Sequence, residues 1–125
     1  MATVLVVDDD QFDRSLIVRN LMRVLPDADI VEVSDSGKAV QVFQDKKPKL
    51  AVLDIRMPAP DGFDVLSEIR ANPEYDGCSV IMLSGSTSAN DVQRSRNLGA
   101  NDYEVKPDSL GGYRELAEKL ASNWL

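Results

Sequence analysis

Asp8, Asp9, Asp54, Ser84 and Lys106 are the residues of this 125-residue chain whose types and positions could do chemistry together. Each stands at the end of a short apolar run. Asp8 and Asp9 follow Val4-Leu5-Val6-Val7, Asp54 closes Leu50-Ala51-Val52-Leu53, Ser84 follows Val80 to Leu83, and Lys106 follows Tyr103-Glu104-Val105. Three carboxylates brought close repel one another by on the order of a few kcal/mol, which raises their pKa values or calls for a cation. Hard oxygen donors of this kind suit Mg²⁺, which keeps several waters and is usually held by one or two carboxylates plus a phosphate. Lys106 adds a mobile positive charge and Ser84 a hydroxyl donor. A carboxylate nucleophile, a metal ion, a lysine and a hydroxyl are what phosphoryl transfer uses, because its transition state is stabilised by positioning and by charge on the phosphoryl oxygens.

Taken singly, each residue has a plainer role. Asp8 or Asp9 could cap a helix, since aspartate and negative charge are favoured at helix N-termini. Lys106-Pro107 is an ordinary turn entry, and Asp54, ahead of Pro58, Pro60 and Gly62, could be a turn residue. The conjunction decides for a site: complementary groups from different units all fall at strand ends.

The elements that must position them alternate. Five runs rich in β-branched residues, Val4 to Val7, Ile30 to Val33, Leu50 to Leu53, Val80 to Leu83 and Tyr103 to Val105, are separated by segments of helical period, which predicts a parallel sheet covered on both faces. In such a sheet ligands bind beyond the carboxyl ends of the strands. The first helix is expected after Asp10, with Ile17, Leu21, Val24 and Leu25 on one stripe. The second starts near Ser36 and stops before Pro48, and the third starts at Asp61 and ends near Asn72-Pro73. The fourth opens within Ser86-Thr87-Ser88 and closes at Gly99. With Val92 and Leu98 as its main anchors it is expected to be loosely held. The fifth follows Lys106-Pro107, with Tyr113, Leu116, Ala117, Leu120, Ala121 and Trp124 on one stripe and Gly111-Gly112 weakening its first turn.

The totals bound the rest. One domain fits the length, and residues 1–125 are expected to be a single domain without an output domain. Twenty-one Asp and Glu against 14 Lys and Arg give a net charge of −7, which disfavours nucleic acid and anionic membranes as partners. One cysteine and no histidine rule out an internal disulfide and make zinc and histidine-based catalysis poor readings. Without a leader-like or membrane-length apolar run, a cytoplasmic location is expected.

The ordered motifs Val4-Leu5-Val6-Val7-Asp8-Asp9-Asp10, Leu53-Asp54-Ile55-Arg56-Met57-Pro58, Asp61-Gly62 and Tyr103-Glu104-Val105-Lys106-Pro107 resemble those of response regulator receiver domains over the whole chain. The resemblance implies a flavodoxin-like (βα)5 fold, a doubly wound five-stranded parallel sheet of order 2-1-3-4-5. It implies that Asp54 is the phosphoacceptor, and that Asp8, Asp9, Asp54 and the backbone carbonyl of Arg56 hold Mg²⁺. It also places Ser84 and Lys106 on the phosphoryl group, makes Tyr103 an aromatic switch residue or a half-buried core tyrosine, and gives Arg56 and Ser86 influence over phosphoryl lifetime. The implied function is that of a bacterial two-component or phosphorelay switch, phosphorylated by a sensor histidine kinase or a histidine phosphotransfer protein. It would signal to a downstream protein target and catalyse only its own phosphorylation and dephosphorylation. Gly85 departs from the alanine frequent at its position, and Glu104 puts charge where an apolar residue is usual, marking a candidate interface. The Ser84 to Ser88 loop, Asn72-Pro73 and the Trp124-Leu125 ending are similar to stand-alone regulators that partner phytochrome-type kinases. Members of that group often form homodimers through the fifth helix, so Trp124 and Leu125 are either last core anchors or a dimer contact; the helical stripe favours the core.

Two other classes compete with this reading. A haloacid-dehalogenase-type phosphatase shares the Asp-x-Asp pattern of Asp8-Asp9-Asp10, but Phe12 stands where that family has a small or hydroxyl residue. A receiver-like adaptor that is never phosphorylated would not need the complete set of Asp8, Asp9, Asp54 and Lys106. A flavin site is disfavoured because the loop after the first strand is acidic where a phosphate cradle needs amides and hydroxyls.

Overall fold

The computed structural model describes residues 2–125. Five strands, β1 (Thr3–Val7), β2 (Asp29–Val33), β3 (Leu50–Asp54), β4 (Ser79–Ser84) and β5 (Asp102–Val105), alternate with α1 (Gln11–Val24), α2 (Ala39–Lys46), α3 (Gly62–Arg70), α4 (Ala89–Asn97) and α5 (Leu110–Trp124). All pairings are parallel and the order is β2-β1-β3-β4-β5. The expected doubly wound sheet is therefore present.

Strand residues divide by parity, as side chains alternating across a pleated sheet must. Val4, Val6, Leu50, Val52, Ile81 and Leu83 pack against Ile17, Val18 and Leu21 of α1 and Tyr113, Leu116, Ala117 and Leu120 of α5. Leu5, Val7, Ala51, Leu53, Val80 and Met82 face Phe43 of α2 and Phe63, Leu66 and Ile69 of α3. Every residue of β3 is buried. Burial on both faces explains why its run is continuously apolar rather than alternating. Trp124 and Leu125 are half-buried against the α1–α5 layer, where the helical stripe places them.

Four of the five helices start on a side-chain cap, α2 being the exception. Asp10, not Asp8 or Asp9, caps α1 by accepting from the Asp13 amide at 2.9 Å, so the acidic pair is free for other work. Asp61 and Asp64 form a reciprocal capping box at α3. Of the three candidates before α4, Ser88 is the cap. The first turn of α5 is held by Ser109, which accepts from the Gly112 amide at 3.1 Å. A Cβ on Gly112 would lie 2.6 Å from Pro107 Cβ. The second glycine is thus a packing requirement at the turn after β5 rather than a simple weakness.

Helix α4 differs from expectation in how it is held. Val92 and Leu98 are only half-buried, and Ser95 is its one fully buried residue. Polar contacts make up the difference: Arg56 pairs with Asp91 at 2.7 Å, and the Arg94 guanidinium lies 4.2 Å from the centre of the Phe63 ring. Below it, Arg70 donates to the carbonyls of Tyr75, Cys78 and Gly99 and to Asn101 Oδ1, all at 2.8–2.9 Å. This fan ties the end of α3 to the turns that flank β4 and precede β5. No helix among the described residues is long and apolar enough to cross a membrane.

Candidate functional site

Parallel strands bring their carboxyl ends to one edge, and backbone hydrogen bonds continue past the strands to fix the first residues of the loops. The Asp8 amide donates to Val33 O at 3.1 Å, the Ile55 amide to Leu83 O at 3.2 Å, and the Lys106 amide to Ser84 O at 2.8 Å. Asp8, Asp54, Ser84 and Lys106 are thereby placed on rigid backbone. On the outer side, Arg14 of α1 donates to the Asp8 carbonyl at 2.7 Å and pairs with Glu32 at 3.1 Å, which braces the β1–α1 loop.

Asp8 and Asp54 are almost wholly buried, whereas Asp9 is exposed. One carboxylate oxygen from each of the three lies within 4.8 Å of the others. Asp8 Oδ1 accepts from the Asp10 amide at 2.9 Å. Asp8 Oδ2 is buried without a hydrogen bond and lies 3.1 Å from the Lys106 ammonium. The same ammonium lies 3.3 Å from Asp54 Oδ1 and 2.9 Å from Asp13 Oδ2. Burial, then the charge of Asp8, push the Asp54 carboxyl up to about 7 against the pull of Lys106. Burial likewise raises Asp8. Burial works to lower Lys106, but the Asp13, Asp8 and Asp54 carboxylates outweigh it and hold the lysine above its ordinary value. A buried carboxylate oxygen without a hydrogen-bond partner, in a trio of converging hard donors, fits a small divalent cation.

Ser84 is fully buried at the end of β4 and its hydroxyl accepts from the Ser86 amide at 3.1 Å. Tyr103 is half-buried, packs against the α2–α3 layer, and donates its hydroxyl to the Ser86 carbonyl at 2.8 Å. Ser86 accordingly touches both Ser84 and Tyr103 through its backbone. Its side chain instead accepts from the Ser88 amide at 3.0 Å. The Arg56 side chain points at Asp91 of α4 and is 66% exposed. Gly85 is exposed, with open space where a Cβ would stand. Glu104 has an internal partner, Lys119 of α5, so its charge on β5 is answered within the chain.

Asp13 was not among the residues the sequence singled out, yet it is the nearest carboxylate to Lys106. The available signal was weak: an acid in the first turn of a helix is common, because the helix N-terminus favours negative charge. Two grooves adjoin the strand ends. One, of about 260 Å³, is bounded by Phe12, Asp13, Leu16, Pro107, Leu110 and Tyr113, with Phe12 and Leu110 about 70% exposed. The other runs along Glu104, Val105, Leu116 and Lys119. A further concavity, around Phe43, Lys47, Tyr75 and Cys78, lies at the opposite end of the strands. Burial pushes its Cys78 thiol up to about 11, which leaves the thiol unreactive.

Comparison with known proteins agrees with this arrangement. Response regulator Rcp1 of Synechocystis sp. is 29% identical over 129 residues, covering 98% of this chain and 88% of that protein. A protein-glutamate methylesterase/protein-glutamine glutaminase of Methanospirillum hungatei is 33% identical over 121 residues, covering 96% of this chain but only 35% of that protein. The chain thus spans about a third of that relative's length. The crystal structure of the Mn²⁺-bound form of Rcp1 superposes with a TM-score of 0.88 at 28% identity, covering 100% of this chain and 95% of the other. That of the phosphorylated cyanobacterial phytochrome response regulator RcpA superposes with a TM-score of 0.90 at 26% identity, covering 98% and 93%. Residues 4–118 match the response regulator receiver domain. With the sheet order, the converging aspartates and the lysine already in place, the chain belongs to the response regulator receiver domain family of two-component signalling.

Proposed function

We propose that Asp54 is the phosphoacceptor of a two-component switch and that Asp8, Asp9, Asp54 and the Arg56 carbonyl hold Mg²⁺ beside it. The observation that carries this reading is the Lys106 ammonium set between buried Asp8 and Asp54 at 3.1 and 3.3 Å. That arrangement leaves one carboxylate facing a positive charge at the end of a rigid strand. In the proposed reaction an Asp54 oxygen attacks the phosphorus of a phosphohistidine. The P–N bond breaks, and its electron pair leaves with the imidazole. The metal, when bound, neutralises charge on the phosphoryl oxygens. Lys106 neutralises it from the α1 side, and the Ser84 hydroxyl donates to a phosphoryl oxygen.

Turning the Ser84 side chain toward the phosphoryl group shifts the Ser86 amide, from which its hydroxyl accepts at 3.1 Å. Because the Ser86 carbonyl also holds Tyr103, the rearrangement reaches Tyr103 and the face formed by α4, β5 and α5. Ser86 and Arg56 are proposed to tune phosphoryl lifetime, Arg56 through its exposed, cationic side chain and its tie to Asp91. The donor is a sensor histidine kinase or a histidine phosphotransfer protein. The exposed Phe12 and Leu110 beside the site offer it apolar contact, and the likeness to the phytochrome response regulator RcpA favours a phytochrome-type kinase. The output is carried by a protein target.

Intact-mass spectrometry tests the reading after incubation with Mg²⁺ and acetyl phosphate or phosphoramidate. One phosphoryl group gained, and absent from both Asp54→Asn and a metal-free sample, is the expected result. No gain from either donor, in folded protein shown to bind Mg²⁺, would instead support an adaptor that is not phosphorylated.

A further inference from the structure

Lys106 has one more carboxylate partner than the acidic trio provides. Asp13 comes from the first turn of α1 and lies outside the set of converging oxygens from Asp8, Asp9 and Asp54. Nevertheless, its Oδ2 makes the shortest of the three contacts to the ammonium, 2.9 Å, and accepts its side-chain hydrogen bond. The Asp13 side chain is 28% exposed, against 1% for Asp8 and 4% for Asp54. The ammonium is therefore shared between two buried oxygens and one at the rim.

We propose that Asp13 is a positioning residue that draws the Lys106 ammonium toward α1, off the Asp8 and Asp54 oxygens that a divalent cation must occupy. The inference rests on the cation reading above and adds a residue to it. A cation arriving on Asp8 and Asp54 meets an ammonium 3.1 and 3.3 Å from the same oxygens. Two positive charges then compete for the same lone pairs and repel each other. Without a third partner, moving the lysine aside would leave a half-buried charge unpaired, which is costly. Asp13 removes that cost, since the flexible lysine stem can swing to it while the ammonium stays paired. In its absence the lysine settles on Asp8 and Asp54 and becomes a competitor of the metal.

A double-mutant cycle tests this, with Mg²⁺ and Mn²⁺ affinity read by isothermal titration calorimetry on wild type, Asp13→Asn, Lys106→Met and the double variant. Circular dichroism melts accompany each, and Lys106→Gln replaces the methionine variant if that does not fold. Asp13→Asn removes a nearby negative charge and so weakens cation binding somewhat in either background. The proposal expects the weakening to be larger by about tenfold when Lys106 is present, a coupling between touching residues that a cycle isolates. Equal weakening in both backgrounds would make Asp13 only a distant charge and overturn the proposal. Wild-type protein that binds neither metal would overturn the cation reading itself, and this inference with it.

Discussion

Gly62→Ala is expected to destabilise the protein by about 3 kcal/mol although it adds a single methyl group, at the upper end of what overpacking costs. The added Cβ would stand 2.3 Å from the Asp54 carbonyl oxygen, 2.7 Å from Ile55 Cα and 3.0 Å from the Asp54 carbonyl carbon. All three are main-chain atoms at the end of the fully buried β3, so no side-chain rotation relieves the clash. The start of α3 is also pinned from its own side. The Gly62 amide donates to Ile55 O at 3.0 Å, and the Asp61–Asp64 capping box fixes the first turn. Either α3 withdraws from the core or the backbone carrying Asp54 moves, and the second outcome displaces the proposed phosphoacceptor. Gly85→Ala is the control, because its Cβ would meet nothing within 4 Å, and it is expected to change stability by no more than about 0.5 kcal/mol. Urea unfolding of the two variants beside wild type decides the matter; equal midpoints would show that the close approach does not constrain the fold.

Asp54→Asn is expected to stabilise the metal-free protein, and by more at pH 8 than at pH 4. The Asp54 carboxyl is pushed up to about 7 from 3.8 by burial and by Asp8. Between those values the folded chain holds a proton that the unfolded chain has released. Stability contributed by this group is therefore full below about pH 4, falls as pH rises toward 7, and is flat above. Asparagine carries no such proton, so the stability gap between variant and wild type should open through that window to on the order of 2 kcal/mol. Saturating Mg²⁺ should narrow the gap by stabilising wild type, since an opposite charge favours the ionised carboxylate and a ligand specific to the folded state stabilises it. Chemical denaturation of both proteins at pH 4, 6 and 8, in EDTA and in Mg²⁺, measures it. A gap that stays constant or closes as pH rises in EDTA would mean that Asp54 is charged without strain in the folded chain.

The buried carboxylates of the site are costly to keep charged, and one lysine is shared between two of them and Asp13. The fold thus gives up stability at the edge where signalling chemistry is proposed. A similar looseness shows in α4, which is held by the Arg56–Asp91 pair and by Arg94 over Phe63 rather than by a broad apolar stripe. A helix held at a few polar points can shift without tearing a core.

Much of this was legible in the chain itself, because it rests on local rules. Apolar runs ending in Asp, Asp, Ser and Lys read as buried parallel strands with polar residues at one edge. The first helix was placed by Asp10, the third by Asp61 and the left-handed end of the fourth by Gly99, whose φ is 102°, since caps and periodicity are set by neighbours within one or two turns. Asp8, Asp9, Asp54, Ser84 and Lys106 could be grouped because parallel pairing forces all strand ends to one side. What the sequence could not determine were contacts between side chains remote along the chain. Asp13 reads as an ordinary first-turn acid until the fold brings it to Lys106, 93 positions later. Arg56 meets Asp91 across 35 positions, and Gly112 is needed only because the turn after β5 sets it against Pro107. Such pairings depend on how helices lie on the sheet and on which rotamers they leave free, and those are decided by packing throughout the domain.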